Sequence, residues 1–229
     1  MKVNPKGSWK LNYMPTIFRA RKNQSITLTD RQFEIIVGSL LGDAYASPLG
    51  KIQFEHSVKA QEYLNWKFQE LKDARYEKIG YVKRRMNKSV VDSCRFWTRQ
   101  FFRPLREMAY NTDGKKYLSE AWLKKVTPLA LAVWYMDDGH YEKPKKRCII
   151  ATDGFSNEDR NKLQLFLKER FDLEIVVRKS GKIAMTQAET VKFFQIIHPY
   201  RIECMAYKFP NPLTTNPQKG LMVPTSSGS

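Results

Sequence analysis

The stretch "IIVGSLLGDAYAS" (residues 35–47) begins as an apolar run fit for a protein core and then reaches Asp43, set between Gly42 and Ala44. Upstream, Thr29 can serve as a helix N-cap, with Gln32 three residues later in a capping-box relation and apolar residues from Phe33 to Leu41. This pattern predicts a buried helix that ends near Asp43. A second start stands at Thr127-Pro128, with Thr as N-cap and Pro at the first helical position. It continues as "LALAVWYMDDG" (129–139), closing on Asp138 and Gly139. Two apolar helices therefore each end in an aspartate.

The segments downstream of the two helices also match. After Asp43 come a turn, a strand-like "KIQFEH" (51–56), an amphipathic "AQEYLNWKFQELKDARY" (60–76) and a strand-like "IGYVKRR" (79–85). After Asp138 come a turn, "RCIIATD" (147–153), a helix-like "SNEDRNKLQLFLKERF" (156–171) and a strand-like "LEIVVRK" (173–179). Each half closes on a further strand and helix, "SCRFWTRQFFRPLREMAY" (93–110) and "KIAMTQAETVKFFQIIHPY" (182–200). Gln53 lies 10 residues past Asp43 and Ile149 lies 11 past Asp138, while 95 residues (138 − 43) separate the two aspartates. We read an internal duplication in an α+β chain. Residues 1–29 form a basic arm, ordered only in part; 30–112 form the first half, 113–127 a linker, 128–212 the second half and 213–229 a tail.

Charge narrows the partner. Forty Lys+Arg face 23 Asp+Glu, for a net charge of +17 and a pI near 9.8 in 229 residues. A polyanion is the natural ligand, and no apolar run is long enough to span a bilayer. Cys94, Cys148 and Cys204 are widely spaced, and His56, His140 and His198 form no HxxxH pair, which excludes zinc ribbons and zincins. Trp134 and Tyr135, and the aromatics Phe54, Phe96 and Trp97, read as core.

Gly38 and Gly42, at i and i+4, give the first helix a flat face on which another backbone can lie. The second helix offers Val133 and Asp137 at the matching places, so close contact is supported from one side only. Packed side by side, the helices bring Asp43 and Asp138 together at the negative ends of two dipoles, where the carboxylates repel. A divalent cation resolves that repulsion. Hard oxygen ligands with open positions suit Mg²⁺ (or Mn²⁺), and metal ions beside a scissile phosphate activate water and stabilise the leaving oxygen.

"IVGSLLGDA" (36–44) and "LAVWYMDDG" (131–139) resemble the two signature helices of single-chain LAGLIDADG homing endonucleases, in the branch that includes an omega-intron enzyme of yeast mitochondria. The resemblance extends over roughly residues 30 to 212, with "AYKFPN" (206–211) contributing. It implies two pseudo-symmetric halves of ααββαβ type meeting along the signature helices, each laying a saddle-shaped antiparallel sheet in the DNA major groove. It makes Asp43 and Asp138 the metal ligands, with backbone carbonyls of Gly42 and Asp137 completing the shell. It also makes Lys208 and Lys116 basic groups around the reacting phosphate, and Gln53 a residue that orders water. Mg²⁺ or Mn²⁺ would support cleavage, and Ca²⁺ would bind without supporting it. The Met start and "TSSGS" end lack the terminal residues of an intein, so the chain reads as free-standing and intron-encoded.

Lys51, Lys83, Arg84, Arg85, Arg95, Arg99, Lys146, Arg147, Arg178, Lys179 and Lys182 lie in or beside strand-like segments and are the expected DNA contacts. The expected activity is that of a monomeric, metal-dependent endonuclease that cuts both strands of a long asymmetric site in double-stranded DNA, leaving 3′ overhangs. Two other readings stay open: a maturase that binds intron RNA, and a DNA-binding regulator without chemistry. The chain is expected to be soluble and intracellular; a mitochondrial, bacterial or phage origin would each fit.

Overall fold

The computed structural model describes residues 17–19, 25–86 and 89–210. Strands β1 (Ile17–Arg19) and β2 (Ser25–Thr27) form a small antiparallel pair. Phe18, Ile26 and Leu28 are buried, and the Phe18 ring lies 5.2 Å from Phe102 and 6.4 Å from Phe33. This part of the expected arm is thus built into the core, because three apolar side chains outweigh its charge. Residues 1–16 and the tail 213–229 lie outside the described residues.

The first half runs α1 (Asp30–Leu41), β3 (Tyr45–Ala46), β4 (Ile52–Ser57), α2 (Gln61–Glu70), β5 (Gly80–Met86), β6 (Ser89–Trp97) and α3 (Arg103–Ala109). Thr29 caps α1 in the expected capping box with Gln32. A short helix, α4 (Glu120–Leu123), then leads to the second half: α5 (Pro128–Asp138), β7 (Gly139–Glu142), β8 (Arg147–Ile150), α6 (Asn157–Phe171), β9 (Val176–Val177), β10 (Ile183–Ala184) and α7 (Gln187–Ile197). Thr127 caps α5, with Pro128 in its first turn. Each half is therefore αββαββα, which corrects the expected ααββαβ order: a terminal helix follows the last strand in both. The sheets run β3-β4-β6-β5 and β7-β8-β10-β9, the same order with every pair antiparallel.

The region read as a linker is packed structure. Leu118, Trp122 and Val126 are buried, and the Leu118 amide donates to Asp159 Oδ1 on α6 at 3.0 Å. Between the halves, α1 and α5 pack against each other. A Cβ on Gly38 would meet the Ala130 carbonyl oxygen and come within 2.8 Å of the Val133 Cβ. A Cβ on Gly42 would come within 2.6 Å of the Asp137 Cβ. Glycines on one helix alone suffice for close contact, because the small Ala130 and the inward Asp137 fill the space they leave. Every residue of α5 from Leu129 to Met136 is buried. That burial fixes where the two helix ends emerge.

Candidate active site

Both signature helices end at the same place. Gly42 is the C-cap of α1, with Asp43 just beyond it; Asp138 is the last residue of α5. Neither helix carries a basic residue in its last turn, so their free carbonyls and dipoles must be answered from elsewhere. Lys116 donates to the Gly42 carbonyl oxygen. Lys208 donates to the carbonyl oxygens of Met136 at 2.6 Å and Asp137 at 3.0 Å. Each lysine comes after the body of its own half and reaches the residue before its own aspartate. The carbonyls of Gly42 and Asp137, expected in a metal shell, are therefore hydrogen-bonded to ammonium groups. An open cleft of about 370 Å³ is lined by Gly42, Lys116, Asp138, Thr152 and Asp153.

The electrostatics of the two aspartates differ. Burial pushes the Asp138 carboxyl up to about 7, and the charges of Asp43 and Asp137 add to it against Lys116 and Lys208. Burial raises Asp43 too, but the hydrogen bond and charge of His56, with Lys67 and Lys116, leave it below the usual carboxylate range. Burial lowers both Lys116 and Lys208 against the pull of Asp43, Asp137 and Asp138. Even with Lys116 and Lys208 beside it, Asp138 stays raised, so further positive charge there would be stabilising.

The Asp137 side chain is completely buried and pairs with Lys67 Nζ at 2.7 Å, itself fully buried on α2. His56 lies between them and the surface, its Nδ1 3.4 Å from Asp43 Oδ2 and its Nε2 3.9 Å from Asp137 Oδ1. Asp43, His56 and Asp137 each offer a ligand atom within 4.8 Å of the others. Sequence reasoning missed His56 and Lys67. The signal for Lys67 was its place on the apolar stripe of "AQEYLNWKFQELKDARY", four residues after Tyr63 and next to Phe68. His56 carried no such mark.

Gln53 sits opposite Tyr45 in the sheet, and its amide donates to Glu55. Ile149 takes the same place in the second sheet, opposite His140, and is buried. On the polar face of the first sheet, Arg95 lies opposite Glu55 and 3.7 Å from its Oε2. Lys83 and Arg85 are exposed and stand opposite Asp92 and Val90, while Arg84 pairs with Val91. Lys51 is half-buried over the Tyr76 ring at 5.3 Å, and exposed Arg99 donates to the Arg75 carbonyl oxygen at 3.4 Å. In the second sheet Arg147 and Arg178 both face Glu142, at 2.5 and 3.8 Å, joined by Lys145 at 3.0 Å. The Arg147 and Lys145 partners hold the Glu142 carboxyl down at about 2. Lys146 and Lys179 are exposed, and Lys182 is half-buried. The structure thus gathers the acids and the two site lysines at one point and places Lys83, Arg84, Arg85, Arg95 and Arg147 on two separate sheets, with Lys51, Arg99, Lys146, Arg178, Lys179 and Lys182 in the segments beside the strands.

The family model described as the LAGLIDADG DNA endonuclease family matches residues 33–193. The chain belongs to this family. Among relatives of this LAGLIDADG chain, the DNA endonuclease I-ChuI of Chlamydomonas applanata is 27% identical over 215 residues, covering 80% of this chain and 96% of that protein. A Protein RecA of Mycolicibacterium flavescens is 33% identical over 219 residues, covering 83% of this chain. The chain spans about half the length of the RecA relatives it matches. The solved structure of the homing endonuclease I-WcaI bound to its DNA recognition sequence superposes with a TM-score of 0.71 at 26% identity, covering 80% of this chain and 87% of that one. Among the described residues of the LAGLIDADG chain, no helix is long and apolar enough to cross a membrane.

Proposed function

We propose that this chain is a site-specific, divalent-metal-dependent endonuclease that acts as a monomer on a long asymmetric duplex and leaves 3′ overhangs. The observation that carries the reading is the meeting of Asp43 and Asp138 at the ends of two packed helices, each with a lysine ammonium on the carbonyl before it. The similarity to a homing endonuclease solved on its DNA recognition sequence supports it.

The residues fit a hard cation. The donors are carboxylate oxygens, and Asp138 is held near neutral pKa by burial and its acidic neighbours even against Lys116 and Lys208. Asp43 and Asp138 would hold Mg²⁺ or Mn²⁺, which supplies an activated water and charge stabilisation at the phosphate. Ca²⁺ would bind without supporting cleavage. The chain's own contribution is positional. Lys116 and Lys208 neutralise the helix ends and present positive charge toward the developing phosphate charge. The two sheets supply phosphate and base contacts from either side, with Arg95, Arg147, Arg178 and the exposed lysines providing donors.

The test is cleavage of a randomised duplex library with Mg²⁺, with Ca²⁺, and with Asp43→Asn and Asp138→Asn chains in parallel. We expect discrete cuts with 3′ overhangs for the unaltered chain with Mg²⁺, and a loss of at least about a thousandfold in either variant, since the metal contributes several kcal/mol. Tight duplex binding with no cut under Mg²⁺ or Mn²⁺ would instead leave a binding protein on the same scaffold.

A further inference from the structure

A buried chain of polar groups runs from the second half to the catalytic edge of the first, and the proposed cleavage chemistry makes no use of it. Lys67, on α2, donates to Asp137 Oδ1 across the interface at 2.7 Å. Its Nζ also lies 3.3 Å from His56 Nε2, and 4.5 Å from the centre of the Tyr63 ring. An ammonium has hydrogens and no lone pair, so Nε2 accepts. The ring proton then sits on Nδ1, 3.4 Å from Asp43 Oδ2. The His56 side chain is 8% exposed and its ring lies 5.2 Å from that of Tyr63, which leaves it little freedom to turn. Asp43, by contrast, has a side chain that is 44% exposed.

We propose that His56, locked by Lys67 and Asp137, is the positioning residue for Asp43: it holds one carboxylate oxygen so that the other faces a divalent cation. The inference rests on the reading of Asp43 as a metal ligand. A hydrogen bond from behind orients a ligating side chain before the metal arrives, so less ordering is left to be done on binding. The device belongs to the first half alone. Thr152 stands three residues beyond Ile149 as His56 stands three beyond Gln53, and its hydroxyl donates to the Gly181 carbonyl oxygen at 2.6 Å. The two metal positions are therefore unequal, and the one at Asp43 fills first.

The experiment is Mn²⁺ binding to the full chain without DNA, read by the electron paramagnetic resonance signal of free Mn²⁺. His56→Leu keeps bulk and removes the donor, whereas His56→Asn places an amide N–H near the position of Nδ1. We expect His56→Leu to weaken the tighter site by roughly 10- to 100-fold, His56→Asn to recover most of that loss, and Asp138→Asn to leave the tighter site in place. Unchanged binding in His56→Leu overturns the proposal, as does an equal loss in Leu and Asn variants that keep their circular dichroism. If His56→Leu does not fold, His56→Gln replaces it, since its amide reaches Nε2 rather than Nδ1; binding equal to the unaltered chain then overturns the proposal. A chain that binds no Mn²⁺, or whose binding survives Asp43→Asn, overturns the metal reading and the positioning role together.

Discussion

The two halves share one order of elements, yet they spend their charge differently. In the first, β5 and β6 run to seven and nine residues and carry Lys83, Arg84, Arg85 and Arg95. Their counterparts β9 and β10 have two residues each, and the arginines of that sheet are drawn together by Glu142. Inside, the first half sends Lys67 to the Asp137 carboxylate and His56 to Asp43, whereas the second half sends Lys208 to the backbone carbonyl oxygens at the end of α5. Duplication preserved what the helix interface requires and let the periphery diverge. Under the proposed function, such divergence would let a single chain read an asymmetric duplex, since two identical halves read a palindrome.

The comparison breaks hardest at Lys67. Removing one partner of a fully buried pair leaves Asp137 charged and unanswered, so Lys67→Met should cost about 3–5 kcal/mol by chemical denaturation. Arg147→Met, at a solvent-accessible cluster of the other half, should cost under about 1 kcal/mol. Comparable losses at both sites would mean that the interior asymmetry has no energetic weight. Next come the glycines. Gly42→Ala drives a methyl into Asp137 and should cost about 1–3 kcal/mol, whereas Gly154, with nothing within 4 Å of its Cβ position, should accept Ala within about 0.5 kcal/mol.

A pH profile sharpens the contrast between the aspartates. Asp138 has a folded pKa of about 7, from burial and then from Asp43 and Asp137. The folded chain holds an extra proton between about pH 4 and pH 7, so this group's contribution to stability is present below that window and lost as pH rises through 7. Metal-free Asp138→Asn should therefore be more stable at pH 8 than the unaltered chain. A shift of this size is nominally about 4 kcal/mol, which solvent screening reduces to about 1–2 kcal/mol. Saturating Ca²⁺ should narrow the gain, because an ion held by Asp138 stabilises the unaltered chain more than the variant, which keeps only the Asp43 position. Asp43→Asn should show no such gain, because its carboxyl lies below the usual range. The smallest effect is expected at Glu142→Gln, which frees Arg147 and Arg178 to meet phosphate. Affinity for random duplex should rise a few-fold at low salt and the salt slope should steepen by about one.

Much of the fold was legible in the chain itself. Thr29 with Gln32, and Thr127 with Pro128, announced the two interface helices because caps and apolar runs are local signals. Phe18 was harder: it lies in a basic segment, and only its contact with Phe33 and Phe102 shows that the segment is core. Lys116 and Lys208 were expected near the acids from the family resemblance, but their partners, the carbonyl oxygens at the helix ends, could not be inferred from one-dimensional spacing. His56 had the weakest signal of all, since a single histidine in a strand looks the same whether it packs or positions.

The sequence alone determined the repeated order of elements, the two aspartates at the helix ends and the strongly basic charge, because periodicity, capping and net charge are sums over neighbours along the chain. Only the tertiary structure decided that Asp137 turns inward to Lys67, that Glu142 gathers the second half's arginines, and that His56 stands behind Asp43. Those facts depend on which side chains meet across 70 residues or across a sheet, and burial strengthens the meeting of Lys67 with Asp137 while solvent weakens the one at Glu142.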